Sequence, residues 1–485
     1  MRNLIQKKWF RITARVVVCG VSLLVLAYLL VNWRGAVAKQ QAVAAARAVG
    51  MPLTVDDFTS HMPPPEQNFA RTGIAKEWED AFEKPANEPY SPWSPRGIYE
   101  SMGDPVMGPA WSYWNRGKPR TLDFRRMAEG NPYGRSPATF LAEYDRRHGE
   151  AWKNFQAGFD LPYVRRPLVP PRFAGGSEWF GLEEGFGLSS RKLQDGLFLR
   201  AEAALATGDS AKAAESIVLG LRLADLIASK GTVICVLVGH NGMRTVGRAL
   251  KSGIGRHLWK KEDLELLSRE FQRLDLRSRI YRGIESEALM IHVWEGWKED
   301  RARFGREVGP GAMNVDDETP FLFWFWSKAP GGLPAGWFDM NAAALLDDTR
   351  RCRELATAPG PVSAWFVEGS RLIEERSKEN RRGRIIVGSS AGPFLLKGGA
   401  VAIVDWRLMI AACEIERYFL EHGSYPAGLE ALPPELVTDP FNGGLFCYAA
   451  KDGKFTLYSK GPDGKDDGGA QELLSNHAEW KDWVW

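Results

Sequence analysis

The sequence predicts a mainly α protein with three parts. These are an N-terminal transmembrane helix, an irregular helical body containing αα-hairpins, and a C-terminal α+β module with one helix on a small antiparallel sheet. Three observations predict this class. Residues 16–33 carry no charge and are followed by Arg34. Apolar residues recur at helical spacing over long stretches between Leu193 and His422. Near the end, two strand-like runs, LFCYAA and KFTLYS, flank an Asp-Gly pair, a strong hairpin signal.

The first element is a basic tail, residues 1–15, with Arg2, Lys7, Lys8, Arg11 and Arg15. The uncharged run 16–33 follows, and at about 1.5 Å per residue it extends roughly 27 Å, enough to cross a hydrocarbon core. Basic residues before the run favour a cytoplasmic N-terminus, so the expected location is the cytoplasmic (inner) membrane, single-pass, with the bulk of the chain extracytoplasmic. A cleaved signal peptide is the competing reading, because Ala36-Val37-Ala38 matches an A-x-A site. The length of the run and Trp33 at its edge favour an uncleaved anchor.

Residues 34–180 open with an Ala-rich stalk helix, Ala36 to Val49, ending near Gly50. An irregular stretch dense in Pro, Gly and aromatics follows (HMPPPEQNF, EPYSPWSPRG, PLVPPRFAGG). Its aromatic content argues for loops and short helices wrapped over a core rather than disorder. Residues 181–400 form the helical domain. Leu193 to Ser229 reads as two amphipathic helices broken at Gly208-Asp209-Ser210, where Gly stops one and Asp209 or Ser210 caps the next. That is one αα-hairpin, similar to a single tetratricopeptide unit without a second copy. Further helices are expected over Cys235–Ser252, Lys261–Phe271, Ser278–Phe304, Asn341–Ala356 and Ala364–Arg381.

Composition bounds the function. Apolar residues at 44% and charged residues at 25% are ordinary for a globular chain with a sizeable core. A net charge of +3 does not mark a nucleic-acid binder, and none is expected as a partner. The five cysteines contain no CxxC pair, which argues against a zinc knuckle or a thioredoxin-type site. They read as small buried hydrophobes, with a Cys413–Cys447 disulfide as the alternative. Of nineteen Trp residues, Trp324 and Trp326 lie in PFLFWFWSKAP, a run too short to span a bilayer. It reads as a buried strand or helix turn, or as a membrane-surface or ligand-stacking site.

Catalytic constellations are sparse. GSSAG, Gly388 to Gly392, matches G-x-S-x-G after the strand-like RIIV and makes Ser390 a candidate nucleophile for an anchored serine hydrolase. Pro393 follows at once, alternating strand–helix units are missing, and only His422 and His477 come later. No H-E-x-x-H or P-loop is present. His292 has neither Glu285 nor Glu287 at i±3 or i±4, His240 in VGHNGM has no evident partner, and both read as solvated or core histidines.

The C-terminal module, residues 401–485, begins with the helix Val401 to Pro426. Val404, Leu408, Ala411, Ile415 and Tyr418 form its apolar stripe, Gly423 is its left-handed cap and Pro426 lies just beyond. GLEAL and the turn Asp439-Pro440-Phe441-Asn442-Gly443 precede the hairpin, which turns around Lys451-Asp452-Gly453. The order ERYFLEHGSYP, GLEAL, TDPFNG, Tyr448 and GKFTLYSKGPDG resembles the C-terminal half of the type II secretion major pseudopilin over about Ile403 to Gly469. The helical middle, PEQNFA and the DDGG ending look like those of uncharacterised membrane-anchored bacterial proteins. The resemblance implies a long helix on a short sheet and an acidic calcium-holding loop. The N-terminus departs from the family by lacking its Gly-Phe-Thr-Leu processing site and following Glu, so the resemblance does not imply fibre assembly here.

In LYSKGPDGKDDGG, Asp463 matches the family's first calcium acid. Asp466 and Asp467 come before Gly468-Gly469, with Ala470-Gln471-Glu472 after them. Three carboxylates and nearby carbonyls suit calcium, with a dissociation constant of order 0.1–1 mM, as in extracellular modules. A polar turn whose Asp side chains bond their own backbone is the other reading. The expected role is non-catalytic: a membrane-anchored envelope protein that binds another protein, linked to secretion or surface assembly. A hydrolase using Ser390 and a calcium-stabilised structural protein are the alternatives.

Overall fold

The computed structural model describes residues 2–59, 64–69, 136–156, 158–159, 161, 193–301, 304, 332–381, 390–469 and 483–485. Most of the irregular Pro/Gly/aromatic region, Trp324, Trp326, RIIV at 384–387 and His477 lie outside these.

The expected anchor and stalk are one helix, α1 (Arg2–Ala48). Nothing between Trp33 and Ala38 breaks the helical pattern. Its apolar window is unburied, and Val16, Val21, Leu26, Leu30 and Trp33 all point outward. Among the described residues there is one helix, near the N-terminus, long and apolar enough to cross a membrane. One face becomes covered from Leu24 onward. It packs along α10 (Ala335–Thr357), which runs parallel to it. The two meet at Gly35 and Gly336, where a Cβ on Gly35 would stand 2.0 Å from the Gly336 carbonyl oxygen. α9 (Ile291–Glu299) flanks the pair. Arg301 Nη1 just past it donates to Tyr28 Oη at 3.1 Å.

Trp294, Trp297, Phe304, Trp337 and Phe338 interlock here, mostly edge to face at 5–6 Å, with Ala46, Met51 and Leu53 against the same cluster. Several tryptophans thus serve as the core of the junction between α1 and the body, where large rings fill space between three helices.

The main core lies in the helical domain. Residues 193–206 are helical, and Gly208 at φ +80° ends that helix. Asp209 then caps α5 (Ser210–Ser229) by accepting from the Lys212 amide. Ala201, Ala204, Ala213 and Ala214 are fully buried, so this hairpin closes tightly as its small residues require. α6 (Val233–Ile254), α7 (Lys261–Gln272) and α8 (Leu276–Ser286) follow. The short α2 (Val55–Thr59), α3 (Pro137–Gln156) and the 193–206 helix, α4, precede these, and α6, α7 and α8 with α11 (Ser363–Arg381) pack around α12 (Gly392–His422).

Three expected boundaries move, each for a physical reason. Ser278–Phe304 is not one helix: a 3₁₀ turn at Glu287–Met290 separates α8 from α9 and directs Glu287 towards α12. α10 starts six residues early because Asn32 of α1 supplies the acceptor for the Gly336 amide at 2.8 Å. α12 starts at Gly392, with Pro393 in its first turn, crosses position 401, and is buried on most sides rather than along one stripe.

Gly423 at φ +72° ends α12. The chain turns through Leu429–Ala431 and α13 (Pro434–Val437) into β1 (Cys447–Lys451) and β2 (Lys454–Ser459). The strands pair antiparallel, Cys447 opposite Tyr458 and Lys451 opposite Lys454. Asp452 and Gly453 both take positive φ, the geometry a two-residue hairpin turn requires. Leu457 is fully buried in the main core, and α12 packs on β2. A two-residue strand, β3 (Trp483–Val484), adds to β2. All five cysteines are free thiols, so no Cys413–Cys447 disulfide forms.

Candidate functional site

A cleft of about 330 Å³ opens where α12 passes the turn between α7 and α8, with α13 as its third wall. Its floor is apolar: Ile403, Trp406 and Ile410 from successive turns of α12, facing Leu274, Leu276 and Leu436. Trp406 is fixed edge-on to Phe271 at 4.8 Å. The rim is polar and pre-positioned. Asp275 caps α8 through the Ser278 amide at 3.1 Å, and Arg407 Nη1 donates to the Glu435 carbonyl at 3.0 Å. Arg277 Nη2 donates to the Gly360 carbonyl at 3.0 Å, with its guanidinium 5.0 Å above Trp365. Burial lowers its pKa from the usual value. The cleft thus has an apolar floor with a few oriented polar groups at its lip.

Ser390 lies where the GSSAG segment meets the helical core. It is buried at the start of α12, and its hydroxyl has no hydrogen-bond partner among the described residues. A Cβ on Gly392 would touch both Ser390 Oγ and Cys352 Sγ, at 3.4 and 3.7 Å. Glu287 fills the helix start instead, accepting from the Ala391 amide at 2.6 Å. Burial pushes its carboxyl up to about 7, against the opposing effect of the Ala391 and Gly392 amides. Cys352 beside it is raised well above the usual thiol value, also by burial. The arrangement is a cross-helix cap: a carboxylate satisfies the free amides of a 31-residue helix.

Two of the acidic loop's three aspartates bond nearby backbone amides. Asp463 accepts from its neighbour Lys465's amide at 3.0 Å. Asp466 accepts from the Gly468 amide at 3.0 Å and from Tyr458 Oη at 2.9 Å, and the former chiefly holds its pKa low. Asp467 is exposed. Among the described residues no three His, Cys, Asp or Glu side chains are grouped to hold a metal ion. The buried acid nearby is Asp439, bonded by Ser459 Oγ, Asn442 Nδ2 and the Phe441 amide, with burial raising its pKa. It ties the TDPFNG turn to the end of β2.

Two histidines have partners that sequence reasoning passed over. His292 Nδ1 faces Glu295 Oε2 at 3.2 Å, and Nε2 faces the Leu53 carbonyl at 2.9 Å. Both atoms opposite it are acceptors, so imidazolium satisfies both contacts. Its pKa is raised, chiefly by the Glu295 hydrogen bond, and that of Glu295 is held at about 2, chiefly by His292. Lys39 of α1 joins Glu295 at 2.7 Å and Asp339 of α10 at 3.8 Å, and Lys298 grips both Asp339 oxygens. Glu295 at i+3 was the available signal. His257, at φ +52°, places Nδ1 2.8 Å from the buried Glu416, whose other oxygen accepts from Tyr425 Oη. No local spacing announces that contact, since its partners lie some 160 residues away.

Comparison with protein-family models, with curated proteins and with solved structures finds no match to this chain.

Proposed function

We propose that this chain is a non-catalytic, single-pass protein of the cytoplasmic membrane. Its N-terminus is inside, its body is extracytoplasmic, and it binds a protein partner in envelope work such as secretion or surface assembly. The observation that carries this reading is α1: an unburied apolar stretch runs without a break into a half that is packed into the body. A helix so exposed needs lipid around it, and one so docked holds the body close to the bilayer.

The binding role rests on the cleft over Trp406. Its shape suits a short peptide segment that inserts an apolar side chain and places backbone groups against Asp275, Arg277 and Arg407. The link to secretion rests on the resemblance of the helix–hairpin order to the pseudopilin C-terminal half. The hydrolase alternative finds no support at Ser390, whose hydroxyl has no base within hydrogen-bonding reach among the described residues. A calcium role for Asp463, Asp466 and Asp467 is a second reading, supported by the left-handed Gly461, Gly464, Gly468 and Gly469 along the same loop.

Site-specific photocrosslinking tests the binding role. A benzophenone side chain at position 407, in the full chain in native membranes, should give one discrete adduct that Ile410→Arg abolishes. The same probe at position 357, at the far end of α10, should give none. Equal adducts from both positions, or none from 407, would remove the cleft from the account.

A further inference from the structure

We infer that the body is not held clear of the membrane on a stalk. Instead, the N-terminal end of α10 and the adjacent Arg301 bed into the nearer leaflet and contact phospholipid at glycerol and headgroup level. This rests on the reading of α1 as a membrane span and adds where the span ends against the body.

The register of α1 carries the argument. Arg15 is the last charge before the apolar run. Tyr28 lies thirteen residues further, about 20 Å at 1.5 Å per residue, and Asn32 lies about 26 Å along. A hydrocarbon core of about 30 Å would end near residue 35, or near Val31 if Arg15 snorkels back by about one turn. Yet the body already contacts α1 at these levels: Arg301 at Tyr28, and Gly336 at Val31, Asn32 and Gly35. At the same height Leu29, Leu30 and Trp33 on the opposite face are open. One side of α1 meets protein where the other side meets lipid.

The composition of that end fits the depth. Gly332 to Phe338 contains no charge, whereas residues 347–354 at the other end of α10 hold Asp347, Asp348, Arg350, Arg351, Arg353 and Glu354. Hydrogen bonding fits as well. α10 has no side-chain cap of its own, since Pro334 is its cap residue, and the Gly336 amide is satisfied by Asn32. Where water is scarce an unpaired amide is costly, so a polar residue inside an apolar span has a purpose here. Tyr28 likewise receives Arg301, which also donates to the Leu333 carbonyl at 3.3 Å. Arg301 and the exposed Trp33 are the side chains that interfaces favour at this level.

The test uses the intact chain in vesicles of phosphatidylethanolamine and phosphatidylglycerol. These are doped in parallel with a phospholipid carrying a photoactivatable diazirine at the acyl terminus or next to the glycerol. Peptides are then mapped by mass spectrometry. The acyl-end probe should mark residues 16–27. The glycerol-level probe should mark 28–34 and 332–340, the latter several-fold above 345–357. Labelling of 16–27 without labelling of 332–340 by either probe would overturn this inference and leave the anchor standing. Absence of label from 16–27 as well would overturn both.

Discussion

Replacing Gly35 by Ala should loosen the body from α1, although alanine is the better helix former. The structure gives the size of the effect. The new Cβ would lie 2.0 Å from the Gly336 carbonyl oxygen and 2.5 Å from its Cα, all backbone that cannot rotate away. Reaching ordinary contact at about 3.4 Å would separate the helices by about 1 Å, and overpacking of this kind costs about 1–3 kcal/mol. The same movement stretches the 2.8 Å bond from the Gly336 amide to Asn32 beyond hydrogen-bonding length. Its loss adds about 1 kcal/mol. The docking of α1 on α10 is therefore weakened by about 2–4 kcal/mol. If opening of this contact limits exchange, amide protection should fall by roughly 30- to 700-fold. Hydrogen–deuterium exchange of the detergent-solubilised chain reads this directly, over residues 36–46 and 335–345. Gly20→Ala, where a Cβ meets nothing within 4 Å, is the control and should leave exchange unchanged. Protection in Gly35→Ala equal to that of the control would refute the tight crossing and the register built on it.

Four further outcomes are expected. His292 has a raised folded pKa, so its contribution is complete below the ordinary value near 6.5 and lost as pH rises through the folded value. Melts from pH 5.5 to 8.5 should show that decline, and His292→Gln should flatten it. Glu287 is raised to about 7, so the native state holds the proton more tightly and stability falls between about pH 4.5 and 7, by up to about 3 kcal/mol. Glu287→Gln should remove that slope, and an unchanged profile would contradict the buried cap. Leu457→Ala should cost about 2–5 kcal/mol by opening a cavity under α12, measured by thermal or denaturant unfolding. A loss below about 1 kcal/mol would argue against the helix-on-hairpin core. Millimolar calcium should raise the melting temperature and a chelator reverse it, with Asp466→Asn blunting the rise. Identical melts would leave the loop as a plain turn.

Local chemistry made much of this fold legible. The Gly208-Asp209 break, the Gly423 stop and the Asp452-Gly453 turn are each decided by one or two residues whose backbone preference is strong, and each stands where expected. What escaped is set by contacts between distant segments. Asn32 looks like an odd residue in an apolar run until α10 arrives to donate to it. Glu287 looks like one more helical acid, yet its 3₁₀ turn splits a predicted helix so that it can reach α12. G-x-S-x-G at 388–392 matched a catalytic pattern, whereas Ala391 and Gly392 serve the start of a core helix. The cleft was illegible for the same reason, because Trp406 and Arg277 come to line one hollow only in three dimensions.

The central claim is that α1 crosses the bilayer in its first half and carries the body on one face of its second. A nitroxide scan of positions 12–46 in reconstituted bilayers measures both at once, using collision with oxygen and with a polar relaxant. The account predicts uniform lipid exposure up to about Val21, then a helical-period loss of collisions at Leu24, Tyr28, Val31, Gly35 and Ala42. Positions Leu26, Leu30 and Trp33 should remain exposed. Aqueous accessibility throughout 16–33, or lipid exposure without that period beyond Leu24, would contradict it.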